Sequence, residues 1–440
     1  MNIFLNRFRI KGDFGKLLSN SAGLLTGSSF SKAVSIISTG LIASQLGPSD
    51  FGTFALMMSG AAIVRTLANI NAWQAVIAFA GDVPTTETAG RFGAIVRFSV
   101  ICDVVAHALV GLLLVAGVLI AWDQFAQTST VKKTLGLFLV LPLLADAVNS
   151  TASGVLRIFK RFSVIAFAPA LESAALIIAV VYLNYVGADI ESYILSSLVA
   201  SMIPPVAITL FAVRCLSDQA ISLHTKRVDH MDRQSRISFL RYIIATNVNS
   251  SIALVTRQFD MIIVGSLIGS AGAGIYRVVK LAVAIPELLH GSLYTAIYPQ
   301  IAQLQTSRNF PALNRFAIQS SLLAFFLVSV YLTAFYLVGD TIIKFAFGNN
   351  YADAYHNSII YISGYVILAL CLPLNPILLA AKRPTVTMLA HSTAAVVFVL
   401  ACLRLVPSCG VTGACISFVA YSITWGLVML PSVKTRSSKS

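Results

Sequence analysis

Charge is what this sequence has least of. Only 11% of its 440 residues are Asp, Glu, Lys or Arg, against roughly 25% in soluble domains. Acidic residues are scarcer than basic ones, 17 against 31, which leaves a net charge of +14. Cysteine is sparse too. Cys102, Cys215, Cys371, Cys402, Cys409 and Cys415 lie in or beside apolar stretches, with no CxxC pair and no histidine at ligand spacing. That excludes a zinc ribbon and a disulfide framework, and leaves the six as packing residues. Strand-like alternation is absent over most of the length, which argues against a β-barrel. No nucleophile elbow, metal motif or phosphate-cradling glycine loop occurs, and no metal or organic cofactor is expected. What fills the chain is apolar: 57% of residues are hydrophobic and mean hydropathy is +0.83. A soluble protein of this size cannot hide so much apolar surface, so lipid is its main solvent. A cytosolic enzyme, a secreted scaffold and a disordered chain are excluded.

Apolar runs of about 20 residues cross a bilayer. Twelve are predicted: 20–46, 52–80, 98–121, 135–156, 162–183, 191–213, 239–268, 272–302, 315–338, 357–381, 385–406 and 411–430. The first lacks a small-residue cleavage site after it, so it reads as retained rather than as a signal peptide. With the N-terminus in the cytoplasm, most Lys and Arg fall on the cytoplasmic side. Only Lys132, Lys133, Lys344 and Arg404 fall opposite. This asymmetry predicts an even number of spans with both termini cytoplasmic. It also explains the basic excess as topology rather than nucleic-acid binding. Residues 3–18 read as an amphipathic segment on the inner surface, weakened by Gly12 and Gly15.

The chain nearly repeats itself. LGPSDFGTF (46–54) sits over IGSAGAGIY (268–276), pairing Gly47 with Gly269, Gly52 with Gly274 and Phe54 with Tyr276. KRFSV (160–164) sits over KRPTV (382–386) at the same offset. Six spans per half give both halves one orientation, a parallel repeat about an axis along the membrane normal. The predicted organisation is a cytoplasmic segment 1–19, an N-lobe 20–216, a cytoplasmic linker 217–238, a C-lobe 239–430 and a cytoplasmic tail 431–440. The histidines of the linker, His224 and His230, read as solvated. Two like-oriented lobes point to a transporter with alternating access. The outer loops are too short for an enzyme acting on extracytoplasmic glycan, the longest being about 340–357.

Charged side chains in the membrane are costly and mark function or pairing. The spans hold Lys32, Arg65, Arg257, Arg277, Lys280, Asp103, Asp146, Glu172, Asp260 and Glu287. All five cations fall on the first two helices of each half. Lys32, Arg65, Lys280, Arg257 and Arg277 are therefore the candidate contacts for an anionic cargo. Arg257 with Asp260, and Lys280 with Glu287, are at spacings that also allow local pairing. Arg65 aligns with Glu287 across the repeat, so Glu287 and Asp260 are candidate coupling or inter-lobe residues. Snorkelling is the competing reading for Arg277. Asp103, Asp146 and Glu172 read as proton relays or, more simply, as hydrogen-bonded packing acids, with His107 a partner for Asp103. Asn69, Asn71, Trp73 and Gln74 fit either a sugar-facing wall or helix–helix hydrogen bonds.

The segments LGPSDFGTFAL, IGSAGAGIYRV, RQFDMIIVG, GVLRIFKRF, IIKFAFGNNYADA and CGVTGACIS, in this order and spacing, resemble the Wzx-type polysaccharide flippases. These belong to the multidrug/oligosaccharidyl-lipid/polysaccharide exporter superfamily. The resemblance runs from about residue 20 to 420. It implies an all-α membrane protein of twelve helices in two parallel six-helix lobes around a central cavity lined by spans 1, 2, 7 and 8. It implies transfer of an undecaprenyl-diphosphate-linked oligosaccharide from the inner to the outer leaflet of a bacterial cytoplasmic membrane. A proton or sodium coupling ion and partnership with a glycan polymerase and chain-length regulator follow from the same resemblance. Asp260 matches an Asp common in span 7 of the family. Lys32, Arg65 and Lys280 match its cationic cavity in kind. GSAGAG departs from the family pattern in lacking an acidic residue. The alternatives are a cation-coupled multidrug extruder of the same superfamily, for which the N-half acids would serve, and a glycan polymerase or ligase. The lipid II flippase branch normally has fourteen spans.

Overall fold

A computed structural model describes residues 13–81, 84, 88–125, 133–218, 231–254, 258–381 and 383–434. Among these, the regular structure is helical throughout. In hydrocarbon a chain must satisfy its own backbone, and a helix does so within one segment. The helices are α1 (Asp13–Ala68), α2 (Ala72–Ala80), α3 (Ala89–Phe125), α4 (Lys133–Phe138), α5 (Val140–Asp146), α6 (Asn149–Ile158), α7 (Phe162–Val186), α8 (Ile190–Ala200) and α9 (Ile203–Asp218). They continue with α10 (Arg233–Leu254), α11 (Asp260–Ala282), α12 (Ala284–Thr306), α13 (Phe310–Phe347), α14 (Asp353–Leu370), α15 (Leu374–Ala380), α16 (Pro384–Cys409) and α17 (Val411–Lys434).

Ten stretches of the described residues are long and apolar enough to cross a membrane. The twelve expected spans are the same chain cut differently. Ala33–Ala80 holds the end of span 1 and all of span 2, joined at a bend at Gly47. Asp260–Ala282 holds the end of span 7 and the start of span 8, joined at Gly269. The remaining parts of those two spans, α10 and α12, are not among the ten. Helix boundaries also depart from the predicted loops. α1 starts seven residues before the expected first span, and α10 takes in residues 233–238 of the expected linker. Residues 1–12, most of the linker including His224 and His230, and the tail beyond Lys434 lie outside the described residues.

The repeat is written into the backbone. Gly47 has φ 73° and ψ 173°, and Gly269 has φ 77° and ψ −178°. Glycine takes such angles without a Cβ penalty. Each bend turns one long helix into two arms. Contact grouping divides the chain into two units, Met1–Thr39 with Val64–Val248, and Gly40–Ile63 with Asn249–Ser440. The units therefore do not follow the sequence halves. The Gly47 bend packs with the second half, and most of α10 packs with the first.

In the first unit, Val76, Phe92, Val96, Val155, Leu156 and Ile208 form a buried core. Phe239 of α10 sits edge-on to Phe79 and Phe98, with ring centroids 5.2 and 5.5 Å away. In the second, Ile297, Ile301, Leu313, Val328, Leu372 and Ile377 pack together. There the two bends meet. A Cβ on Gly52 would lie 1.7 Å from the Ser270 carbonyl oxygen, and one on Gly274 would lie 2.1 Å from that of Pro48. Pro48 is equivalent to Ser270 and Gly52 to Gly274, so the crossing is reciprocal. Ser49 and Ser270 hydroxyls are 3.1 Å apart beside it. The small residues of GSAGAG thus permit backbone-to-backbone contact.

Gly52→Ala is expected to destabilise the purified protein strongly, because backbone atoms must move to admit the methyl group. Gly60→Ala, which meets nothing within 4 Å, is expected to be neutral or to stabilise by up to about 1 kcal/mol. Thermal unfolding of the two variants in detergent checks the contrast. Equal midpoints would show that the crossing is not tight.

Candidate functional site

The second unit contains a buried ionic network built on one bent helix. Asp260, Tyr276 and Lys280 all lie on α11, on opposite sides of Gly269. In a straight helix, residues 260 and 280 would stand roughly 30 Å apart. The bend folds the arms together, and the Lys280 ammonium donates to both Asp260 oxygens, at 3.0 and 2.7 Å. Tyr276 donates its hydroxyl to Oδ2 at 2.9 Å, and the Met261 N–H donates to Oδ1 at 2.7 Å. Asp260 and Tyr276 are fully buried. The carboxylate is thereby neutralised and hydrogen-bonded, as a buried charge requires.

The predicted pairings change accordingly. Asp260 pairs with Lys280, twenty residues away; Arg257, its expected local partner, lies outside the described residues. Lys280 does not share a continuous helix face with Glu287. The helix is interrupted at Val283 (φ −92°, ψ 2°), and the carbonyl of Ala282 accepts from Tyr331 Oη at 2.6 Å. Glu287 lies exposed on α12 and makes no ion pair among the described residues. Arg277 follows Tyr276 directly. It is half-buried, and among the described residues it has no hydrogen bond or ion pair. The Asp260 carboxylate is close enough to act on its charge.

The repeat did not duplicate this network. The equivalents of Asp260, Tyr276, Arg277 and Lys280 are Ser38, Phe54, Ala55 and Met58. The first unit has a different one. Arg65 Nε pairs with Asp146 Oδ2, and Asn149 Nδ2 donates to Asp146 Oδ1 at 3.2 Å. The carboxylate facing Arg65 within the first unit is thus Asp146 of α5. Asp103 is fully buried and accepts from the Thr151 N–H at 2.9 Å and its hydroxyl at 2.6 Å, both through Oδ2. Its Oδ1 has no partner among the described residues, nor has His107 Nε2. His107 Nδ1 donates to the Asp103 backbone oxygen at 2.8 Å, so the expected partnership is with the peptide, not the carboxyl group. Glu172 on α7 is half-buried without an ion pair among the described residues. Lys32 lies on α1, its side chain outside the described residues. Its neighbour Ser31 donates to the Pro169 carbonyl at 3.0 Å, which sets this arm of α1 against α7.

Between α1 and α2 the backbone breaks, with Asn71 at φ 49° and ψ 34°. Asn side chains tolerate this left-handed region. Asn247 Nδ2 donates to the Ile70 carbonyl at 2.6 Å, and Asn71 Nδ2 donates to Asn247 Oδ1 at 3.1 Å. The Trp73 N–H donates to Ser150 Oγ at 3.2 Å. Asn71, expected as either wall or glue, acts here as glue, whereas Asn69 Oδ1 accepts from the Asn71 N–H at 2.9 Å within the same turn. The Arg157 guanidinium lies 3.8 Å from the Trp73 ring centre. Asn247, Tyr276 and Arg157 were missed in the sequence because nothing in their spacing points to their partners.

Arg65→Asp and Asp146→Arg are each expected to lower abundance in the membrane, since each leaves two like charges facing in a part-buried site. The double exchange is expected to recover much of the loss. Immunoblotting of membranes checks this, and additive losses would show that the two side chains act separately.

Comparison with known proteins follows from this geometry. A family model described as "Polysaccharide biosynthesis protein" matches residues 17–305. The Escherichia coli (strain K12) "Inner membrane protein YghQ" is 23% identical over 363 residues, 78% of this chain and 96% of that protein. The lipid II flippase MurJ superposes with a TM-score of 0.71 at 14% identity, covering 93% of this chain and 87% of that one. A multidrug resistance MATE family transporter of the MOP superfamily gives 0.71 and 14%, covering 93% and 96%. These structural neighbours are flippases and transporters, not enzymes, and at such identity they show the fold. With two thirds of its length under one family model and the fold of the MOP superfamily, this multi-pass membrane chain belongs to the polysaccharide biosynthesis protein family.

Proposed function

We propose that the chain moves a polyprenyl-diphosphate-linked oligosaccharide from the inner to the outer leaflet of the cytoplasmic membrane, for surface polysaccharide synthesis. The orientation is that of the basic residues, with both termini cytoplasmic. Transport proceeds by alternating access, and the glycan polymerase and chain-length regulator take over the product. The observation that carries this reading is Arg277, a half-buried cation with no hydrogen bond or ion pair among the described residues, beside the closed Asp260–Lys280 pair. A diphosphate leaving the headgroup layer loses hydration, and a guanidinium replaces it with charge-assisted hydrogen bonds. The flippase activity named for the MurJ neighbour and the family description support the same cargo class.

One observation favours a second reading, a cation-coupled multidrug extruder: the unpartnered Oδ1 of buried Asp103 suits a proton or a cation. Reconstituted vesicles separate the two. Protein-dependent exposure of a fluorescent undecaprenyl-diphosphate-linked oligosaccharide to an external lectin supports the flippase. Export of a cationic dye with no movement of the glycolipid would replace it with the extruder.

A further inference from the structure

α12 is 23 residues long, yet it is not among the helices apolar enough to cross a membrane. Its packed face is ordinary: Pro286, Ile297 and Ile301 are buried. Beside that face runs a polar stripe at helical spacing, Glu287, His290, Tyr294 and Tyr298. Residues three or four apart share a face, so a carboxylate, an imidazole and two phenols line up along one side. Glu287 and Tyr298 are exposed, and His290 and Tyr294 are half-buried, Tyr294 with part of its ring against the core of Ile297 and Ile301.

The two tyrosine rings are stacked, with centroids 6.2 Å apart and planes inclined by 28°. Their hydroxyls have no partner among the described residues. Four other tyrosines of the second unit use theirs internally: Tyr276 on Asp260, Tyr331 on the Ala282 carbonyl, Tyr351 on the Ala43 carbonyl and Tyr355 on the Tyr336 carbonyl. His290 Nδ1 is buried, with no hydrogen-bond partner among the described residues. A stripe facing lipid would not keep a carboxylate and an imidazole. A core would satisfy them.

We propose that this stripe binds pyranose rings of the carried oligosaccharide. Tyr294 and Tyr298 offer apolar ring faces to the C–H faces of the sugars, and their hydroxyls, with Glu287 and His290, bond sugar hydroxyls. The proposal rests on the flippase reading and assigns its glycan, where Arg277 serves the diphosphate. Binding sites of this kind combine aromatic walls with a few placed polar groups.

The full chain in nanodiscs is tested with two probes, an undecaprenyl-diphosphate-linked oligosaccharide and undecaprenyl diphosphate without sugar. Tyr294→Leu with Tyr298→Leu is expected to weaken the glycan-bearing lipid about tenfold, the scale of one lost aromatic stack. The bare lipid is expected to bind as before. Tyr294→Phe with Tyr298→Phe is expected to keep most of the affinity. Should the double leucine variant fail to fold, Tyr298→Leu alone, at a side chain 37% exposed, serves for the same comparison. Equal loss for both probes, or loss for neither, overturns the sugar site while leaving the flippase reading standing. Loss of binding for ethidium but not for glycan also overturns it, in favour of a cation site. If the unaltered protein binds neither lipid, the flippase reading fails and the sugar site with it.

Discussion

Lys280→Met is expected to lower the unfolding midpoint of the purified protein sharply and to reduce its abundance in the membrane. The reason is the carboxylate left behind. Asp260 is fully buried, and Lys280 supplies its counter-charge. Removing one partner of a buried pair costs about 3–5 kcal/mol, because the other charge stays desolvated. The remaining donors, the Tyr276 hydroxyl and the Met261 N–H, carry no net charge. Replacing both partners with apolar residues, Asp260→Leu with Lys280→Met, is expected to recover most of the loss. Tyr276→Phe should cost less than Lys280→Met, about 1–3 kcal/mol, as one hydrogen bond to a charged acceptor is lost. Thermal unfolding in detergent, followed by intrinsic fluorescence, gives all three values. A Lys280→Met protein as stable as the wild type would mean that the ammonium does not neutralise Asp260.

Arg277→Gln is expected to do the opposite: a normal midpoint and normal abundance, with transport of the glycolipid reduced about tenfold to a hundredfold. No partner among the described residues is orphaned by the change, so stability has little to lose. A charge-assisted bond to a phosphate oxygen is worth about 1.5–3 kcal/mol, which corresponds to that range in affinity. Arg277→Lys should retain part of the activity, since the positive charge survives and the two-pronged geometry does not. Vesicle transport and thermal unfolding are measured on the same preparations. Wild-type transport by Arg277→Gln would remove this residue from the cargo path. A collapse of stability instead would show that it is structural.

The contrast between these neighbouring cations is a matter of tertiary structure. Sequence placed Lys280 and Arg277 in the same class, basic residues within a span, and at that level they are equivalent. The bend at Gly269 separates them. It folds Lys280 onto a carboxylate twenty residues upstream and leaves Arg277 with no hydrogen bond or ion pair among the described residues. Arg65 shows the same effect in the first unit. Its place on the second span made it a candidate for cargo, but α5 brings Asp146 to it from eighty-one residues away in sequence. Glu287 moved the other way, from a candidate ion-pair partner to the exposed stripe of α12.

Composition and hydropathy determined that the chain is helical and membrane-embedded, and the repeated motifs that it is built from two related halves. Hydrocarbon solvent makes these features local: each apolar run must become a helix wherever it sits, and a repeated motif must repeat its backbone. Gly47 and Gly269 show how literally that holds. Which side chains meet was not legible, because lipid is as apolar as leucine and gives a helix face no reason to be marked in advance. Only the packed structure decided that GSAGAG is a backbone crossing, that Asp260, Tyr276 and Lys280 close on one another, and that the packing units depart from the sequence halves. Those outcomes depend on bends and on contacts between residues far apart in the chain, where neither spacing nor periodicity carries information.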